Sequence, residues 1–168
     1  EPPHSYLDQP AQHKAVMRAC RLIEEAESPP KLADLARAAG FSPYHFHRQF
    51  KKILGVTPKA YIAARRTGRL QHHLAKGTTV TDAIFDAGFN TSSRFYESAA
   101  QTLGMRASAY RKGGEGAEIS YAVVRCYLGH LLVAGTGRGI CMIAFGDDPT
   151  ELVTDLKHRF PRASWRED

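Results

Sequence analysis

The sequence predicts a mainly α-helical chain in which two helix-turn-helix units stand in tandem, followed by a small α+β subdomain of three strands and one helix. Three observations carry this prediction. Apolar residues recur with a helical period through the first two thirds of the chain. That pattern repeats after 48 or 49 residues. Apolar runs of strand length, separated by glycines, replace it near the end.

Length and composition fit one or two small domains. The chain has 168 residues, of which 43% are hydrophobic, and this suffices for an ordinary core. No apolar run is long enough to span a membrane, and no signal peptide is evident. We therefore expect a cytoplasmic protein with no membrane partner. The first residue is Glu1 instead of Met, which favours a piece of a longer protein.

The net charge of +6 is unevenly distributed along the chain. Residues 1–113 contain 17 Lys and Arg against 9 Asp and Glu, whereas residues 114–168 contain 6 against 8. The basic excess therefore belongs wholly to the first part. Such an asymmetry indicates that the first part meets a polyanion and that the second does not.

The chain opens with a segment that is predicted to be a tail or the remnant of a linker, residues 1–11. A first helix is predicted over residues 12–26, because Val16, Cys20 and Ile23 recur at helical spacing. Two consecutive prolines then end this helix.

The first helix-turn-helix is predicted between Leu32 and Leu54. Its first helix is rich in alanine and ends at Gly40, which allows a sharp turn. Ser42 is a suitable N-cap for the second helix, and Pro43 is a suitable first residue. One arc of the second helix carries Phe46, Phe50, Ile53 and Leu54, and the opposite arc carries Tyr44, Arg48, Lys51 and Lys52. The first arc is typical of a core face and the second of a polyanion-binding face.

A longer helix follows, and the pattern then begins again. The long helix is predicted over residues 59–76 and carries several cations along its length. After Gly77 the residues of the first helix-turn-helix recur at an offset of 48, which becomes 49 after an insertion near residues 90–92. A repeat of this detail predicts a second helix-turn-helix. The matching positions include Leu32 and Val80, Gly40 and Gly88, Phe46 and Phe95, Gly55 and Gly104, and Tyr61 and Tyr110.

Residues 12–112 resemble the AraC/XylS-type DNA-binding domain. The similarity lies in GFSPYHFHRQFKKILGVTPKAYI and in AGFNTSSRFYESAAQTLGMRASAYRK. The resemblance implies two helix-turn-helix units joined by one long helix, with double-stranded DNA as the partner and RNA polymerase as a further one. The long helix is expected to set the two recognition helices on successive faces of the major groove, so a monomer suffices.

The resemblance also implies which residues contact DNA. Arg48 is the best candidate for a bidentate contact to guanine. For the arginines of the long helix, a solvated outer face with no DNA contact is an equally acceptable interpretation. The base contacts are expected at Tyr44, His47, Arg48, Ser92, Ser93 and Tyr96, and the phosphate contacts at Lys51, Lys52, Arg65, Arg66, Arg69, Lys76 and Arg94.

The second part begins after a glycine-rich linker, which is predicted at residues 113–118. Strands are predicted over residues 119–126, 131–134 and 140–145, with glycines in the turns between them. Asp148 and Pro149 then open a helix as its N-cap and its first residue. Residues 119–168 should therefore form a subdomain of three strands and one helix.

This second part is similar to the ribonuclease-like N-terminal subdomain of O6-alkylguanine-DNA alkyltransferases, as fused to an AraC-type domain in Ada-type adaptive-response regulators. The resemblance is carried by YAVVRCYLGHLLVAGTGRGICMIAFGDDPTELVTDLKHRFPRA. It implies a regulator, expected to be an activator, of genes that respond to DNA alkylation. Members also carry an upstream zinc-bound acceptor cysteine and a downstream Pro-Cys-His-Arg acceptor motif. This chain contains neither, so we expect no catalytic residue, cofactor or metal site in it.

Two other functions are compatible with the sequence. One is an alkyltransferase whose nucleophile is Cys126 or Cys141, although apolar neighbours favour buried free thiols at these positions and at Cys20. It is also compatible with a ligand-sensing AraC-type regulator in which residues 117–168 are the sensor. About 50 residues are few for a cavity and a core together, which disfavours the sensor.

Overall fold

The computed structural model describes residues 9–89 and 101–168. The helices are α1 (Gln9–Glu25), α2 (Leu32–Ala39), α3 (Pro43–Leu54), α4 (Pro58–Ala75), α5 (Val80–Asp86), α6 (Ala107–Arg111) and α7 (Pro149–Arg159). The strands are β1 (Glu118–Cys126), β2 (Gly129–Thr136), β3 (Gly139–Gly146) and β4 (Ser164–Glu167). The chain divides into an N-terminal unit, residues 1–66, and a C-terminal unit, residues 67–168.

The N-terminal unit has a core of its own, built by α1, α2 and α3. Phe46 and Phe50 of α3 are fully buried, and their ring centroids lie 5.5 Å apart. Leu35 of α2 and Val16 of α1 are buried in the same cluster. Tyr61, on the first half of α4, places its ring edge-on to Phe50 at 5.6 Å. Aromatic packing therefore holds the predicted core face of α3 inward.

The described part of the second helix-turn-helix reproduces the first at the predicted offsets. α2 and α5 begin 48 residues apart, at Leu32 and Val80. Gly40 and Gly88 both take a positive φ, 75° and 80°, after these helices. The three buried positions of α2, Leu35, Ala36 and Ala39, correspond to Ala83, Ile84 and Ala87, which are buried as well. The duplication read from the sequence is thus a duplication of structure in these residues.

In the C-terminal unit, the second helix-turn-helix shares one core with the α+β part. Leu70 of α4 and Leu103 are fully buried in the same cluster as Ile119 of β1 and Phe160 after α7. Tyr110 of α6 packs edge-on against Phe160, with ring centroids 5.1 Å apart. The two parts are therefore held together by side-chain packing as well as by the chain that joins them.

The segment expected to be a flexible linker is a packed turn. The backbone N–H of Arg162 donates to the carbonyl of Gly113 at 2.9 Å. A methyl group on Gly114 would lie 2.9 Å from the Cβ of Ala163, closer than real contacts allow. Both Gly113 and Gly114 have a positive φ, which a glycine adopts without strain. Gly113 and Gly114 therefore allow this turn to lie close against the segment that follows α7.

The sheet has four strands in the order β3-β2-β1-β4, one more than predicted. β1, β2 and β3 are antiparallel, whereas β4 runs parallel to β1. The omission of β4 has a physical reason, because all four of its residues are exposed and no apolar alternation marks it. β2 begins two residues earlier than predicted, at Gly129 and His130, and Tyr127 with Leu128 forms the turn before it.

One face of the sheet packs inward and the opposite face is exposed. Ile119, Tyr121 and Leu132 are buried on the inner face, within the core of the C-terminal unit. We call the opposite side the outer face. Across it, two rows of paired apolar residues run Ala122, Val133 and Ile143, then Val124, Leu131 and Phe145.

Within the described residues, no helix combines the length and the apolar character needed to cross a membrane.

Candidate nucleic-acid interface

Local interactions set the position of α3. The Oγ of Ser42 accepts a hydrogen bond from the backbone N–H of His45 at 3.3 Å, so Ser42 is the predicted N-cap. Pro43 is the first helical residue. The helix ends at Gly55, where φ is 75° and the N–H donates to the carbonyl of Lys51. With Phe46 and Phe50 in the core, the opposite side of α3 faces solvent.

The exposed side of α3 is basic and aromatic. Tyr44 is 73% exposed, and the guanidinium of Arg48 lies 5.8 Å from the centroid of its ring, within the range of a cation–π contact. His47, Lys51 and Lys52 are exposed on the same helix. Three of the predicted base contacts and two of the predicted phosphate contacts therefore lie on one exposed helix.

The cations of α3 are available for an external anion. The helix contains no Asp or Glu. Among the residues that the structure describes, none forms an ion pair with Arg48, Lys51 or Lys52. Arg37 of α2 differs, since its guanidinium lies 3.4 Å from the carboxylate of Asp34. The exposed side of α3 thus carries positive charge that no neighbouring side chain neutralises within the described part of the chain.

The exposed residues of α3 and α4 that were not among the predicted contacts include His45 and Lys59. His45 lies on α3, with its ring centroid 4.8 Å from that of Phe41. Lys59 lies exposed in the first turn of α4. Its position beside the N-terminus of a helix is a signal that sequence reasoning could have used, because backbone N–H groups there also attract phosphate.

The cations of α4 differ in exposure. Arg65 is exposed, as is Lys76 just after the helix, whereas Arg66 and Arg69 are half-buried. Burial lowers the pKa of Arg66 from its ordinary value. Arg65 and Lys76 are accordingly more accessible to a phosphate than the other two.

Four of the predicted contacts, Ser92, Ser93, Arg94 and Tyr96, lie outside the described residues. Most of the segment predicted to be the second recognition helix also lies outside the described residues, and its residues 101–103 are described and helical. The spacing expected between the two recognition helices and all the assigned DNA contacts remain predictions.

Two of the three cysteines are buried. Cys20 and Cys141 are buried, and burial raises the pKa of both thiols, that of Cys141 to about 11. The Cys141 thiol donates to the carbonyl of Ala134 at 3.4 Å. Cys126 is half-buried at the end of β1. A buried neutral thiol is a poor nucleophile, because the thiolate is the reactive form.

The fold and the basic helix define a helix-turn-helix protein that carries a ribonuclease-like subdomain, and two family matches agree with this. Residues 35–113 match the family described as "Helix-turn-helix domain". Residues 119–168 match "6-O-methylguanine DNA methyltransferase, ribonuclease-like domain". Both resemblances read from the sequence are confirmed.

Two relatives contain both parts. The chain is 47% identical over 148 residues to the "Bifunctional transcriptional activator/DNA repair enzyme Ada" of Escherichia coli strain K12. It is 48% identical over 145 residues to the "Regulatory protein ada" of Salmonella typhimurium. These alignments cover 88% and 86% of this chain but 42% and 41% of the relatives. The chain therefore spans about two fifths of the length of the proteins it matches.

A solved structure has the same fold over part of the chain. It is the crystal structure of a transcriptional regulator of the AraC-type DNA-binding class from Chromobacterium violaceum. The TM-score is 0.51 at 23% identity, and the match covers 67% of this chain and 98% of the other. The predicted mainly helical architecture is confirmed.

Proposed function

We propose that this chain is the sequence-specific DNA-binding part of an Ada-type transcription regulator, an activator of genes that respond to DNA alkylation. It acts in the cytoplasm on promoter DNA, binds as a monomer and contacts RNA polymerase. The names of the two relatives, an activator and repair enzyme and a regulatory protein, support the biological role.

The observation that carries this proposal is the exposed side of α3. A helix-turn-helix places its second helix in the major groove, where it reads base edges. α3 is that second helix, it is anchored by two buried phenylalanines, and it presents Tyr44 and Arg48 with unneutralised cations beside them. Arginine recognises guanine by two hydrogen bonds, while lysines near phosphates add affinity for any sequence.

Selection from a pool of random duplexes, followed by footprinting, tests the proposal. We expect one preferred sequence, one protein per site, and two contact patches about one helical turn apart. Arg48→Ala should weaken binding to the selected site. Arg37→Ala is the matched control, because it removes an arginine that is already paired with Asp34 on α2. Binding without sequence preference, or an obligate complex of two chains per site, contradicts the proposal.

We further propose that this chain accepts no alkyl group itself. Burial of Cys20 and Cys141 with raised thiol pKa values supports this, since neither thiol is poised for attack. Incubation with methylated duplex DNA, followed by measurement of the intact mass, should show no methyl gain. A methyl group on Cys126 or Cys141 would instead establish an alkyltransferase.

A further inference from the structure

The described end of the predicted second recognition helix, residues 101–103, is in close contact with the hairpin that joins β2 to β3. Residues 101–103 are helical, and Gly104 ends them with φ 68°. The hydroxyl of Thr136 donates to the carbonyl of Gly104. A methyl group on Gly104 would lie 2.6 Å from the carbonyl oxygen of Gly139. At Gly104 the helix end therefore lies directly against backbone of the ribonuclease-like subdomain, beside the hydrogen bond from Thr136.

The contact is reciprocal. Gly139 takes φ 149°, and a methyl group on it would lie 2.7 Å from the carbonyl oxygen of Gln101. Two glycines, one on each side, are thus required where the helix end meets the hairpin, because any Cβ at either position would clash with backbone. Leu103 and Met105, which flank Gly104, are buried in the core that also holds Cys141.

The first helix-turn-helix offers an internal comparison. Gly55 occupies the position in the repeat that corresponds to Gly104, and it ends α3 with a similar φ of 75°. A methyl group on Gly55 would meet no atom within 4 Å. Both glycines cap a helix, but only Gly104 is also covered by backbone from another part of the chain.

We propose that the ribonuclease-like subdomain positions the second recognition helix for DNA binding, through Thr136, Gly139 and Gly104. The subdomain is then a working part of the DNA-binding machinery as well as a part of a repair domain. This inference rests on the proposed function for the role of the second helix in DNA binding. The three residues act through the helix and touch no base, so they are positioning residues.

Amide hydrogen exchange in the full chain tests whether the contact of Thr136 and Gly139 with Gly104 holds the helix end in place. Thr136→Val keeps the shape of the side chain but removes its hydroxyl, which donates to Gly104 and also accepts from the Arg138 N–H within the turn. Loss of the bond to Gly104 should speed exchange of residues 101–106 by roughly 2- to 12-fold, the effect of one hydrogen bond on that segment. Gly139→Ala adds backbone strain and should speed it by about 5- to 150-fold. Thr136→Ser keeps the hydroxyl and should restore protection. The matched control is Gly137→Ala in the same turn, where a methyl group meets nothing within 4 Å. If residues 101–106 exchange no faster in Thr136→Val and Gly139→Ala than in Gly137→Ala, the hairpin does not hold the helix end in place.

DNA binding with two duplexes tests the positioning role. One duplex carries the selected site, and the other has the second contact patch replaced. Thr136→Val should bind the first duplex several-fold more weakly than the wild type, and both proteins should bind the second duplex equally. A general loss of structure would weaken binding to both duplexes. That result would overturn the proposal, and so would unchanged binding to both. If the wild type selects no site at all, the proposed function fails. The exchange experiment then still shows whether the hairpin holds the helix end in place.

Discussion

Arg48 and Lys51 lie three residues apart on the exposed side of α3, yet different roles are predicted for them. Arg48→Ala should cost about 1 to 3 kcal/mol of specific binding and relax the preference at one base pair. Lys51→Ala should weaken all sequences alike and reduce the salt slope by about 0.9, the value for one phosphate contact. Titrations of specific and random duplexes at several salt concentrations separate the two effects. Equal losses on both duplexes for Arg48→Ala would make Arg48 a phosphate contact.

Tyr61 predicts a dependence of stability on alkaline pH. Burial, with the hydrogen bond that its hydroxyl donates to Glu24 at 3.0 Å, raises its pKa to about 12. The unfolded chain releases this proton near pH 10. Because the folded chain holds the proton more tightly, the contribution to stability is complete below about pH 10 and is lost as the pH rises towards about 12.

Tyr61→Phe tests this contribution. The variant should lose about 0.5 to 1.5 kcal/mol of unfolding free energy at neutral pH, the value of one hydrogen bond. Urea unfolding should also show a smaller decline between pH 10 and 12 than the wild type shows. Tyr44→Phe is the control, since Tyr44 is 73% exposed and loss of its hydroxyl should leave the unfolding free energy at neutral pH unchanged. Identical alkaline profiles for wild type and Tyr61→Phe would contradict the assignment.

At the scale of the element, α3 depends on its N-cap. Ser42→Ala removes the side-chain acceptor for the His45 N–H and should destabilise the N-terminal unit by about 0.5 to 2 kcal/mol. Ser42→Gly should cost only a few tenths of a kcal/mol relative to serine. Chemical unfolding of the three proteins measures this order. If alanine is tolerated as well as glycine, the hydroxyl has no capping role.

The sequence predicts those elements whose signals are local. Ser42 and Asp148 were recognised as N-caps, and their side chains accept from His45 and Thr150 in the structure. The helical spacing of the cations in the sequence also predicts the basic side of α3. β4 was missed because its exposed residues show no alternation and it pairs with a strand some 46 residues away.

The contact between Gly104 and the β2–β3 hairpin was also beyond the sequence. A glycine pattern shows where a chain can turn, but it does not show which atoms lie against it. Gly55 and Gly104 look alike in the repeat, and only the folded chain distinguishes the open position from the covered one. For the same reason, Gly113 and Gly114 predict a linker from the sequence, whereas the folded chain has a packed turn there.

For the whole molecule, two separate cores predict two unfolding transitions. Phe50→Ala opens the core of residues 1–66, and Phe160→Ala opens that of residues 67–168. Each should cost about 3 to 5 kcal/mol, and each should lower only its own transition. Because Leu103 and Tyr110 share a core with Phe160, the second helix-turn-helix should unfold together with the sheet. Residue-resolved hydrogen exchange in denaturant reports this grouping. A single transition lowered equally by both substitutions would contradict it.

The outer face of the sheet has a consequence for handling the purified chain. Val124, Ile143 and Phe145 are each more than half exposed and lie in adjacent rows. Salts that are excluded from protein surfaces, such as ammonium sulfate, should therefore make separate chains associate through this face at a modest salt concentration. Ile143→Thr keeps a β-branched residue in the strand while adding a hydroxyl. Light scattering during an ammonium sulfate titration should therefore show this variant precipitating at a higher salt concentration than the wild type. Because chains can associate through this face, the protein should be concentrated at low salt before any crystallisation trial.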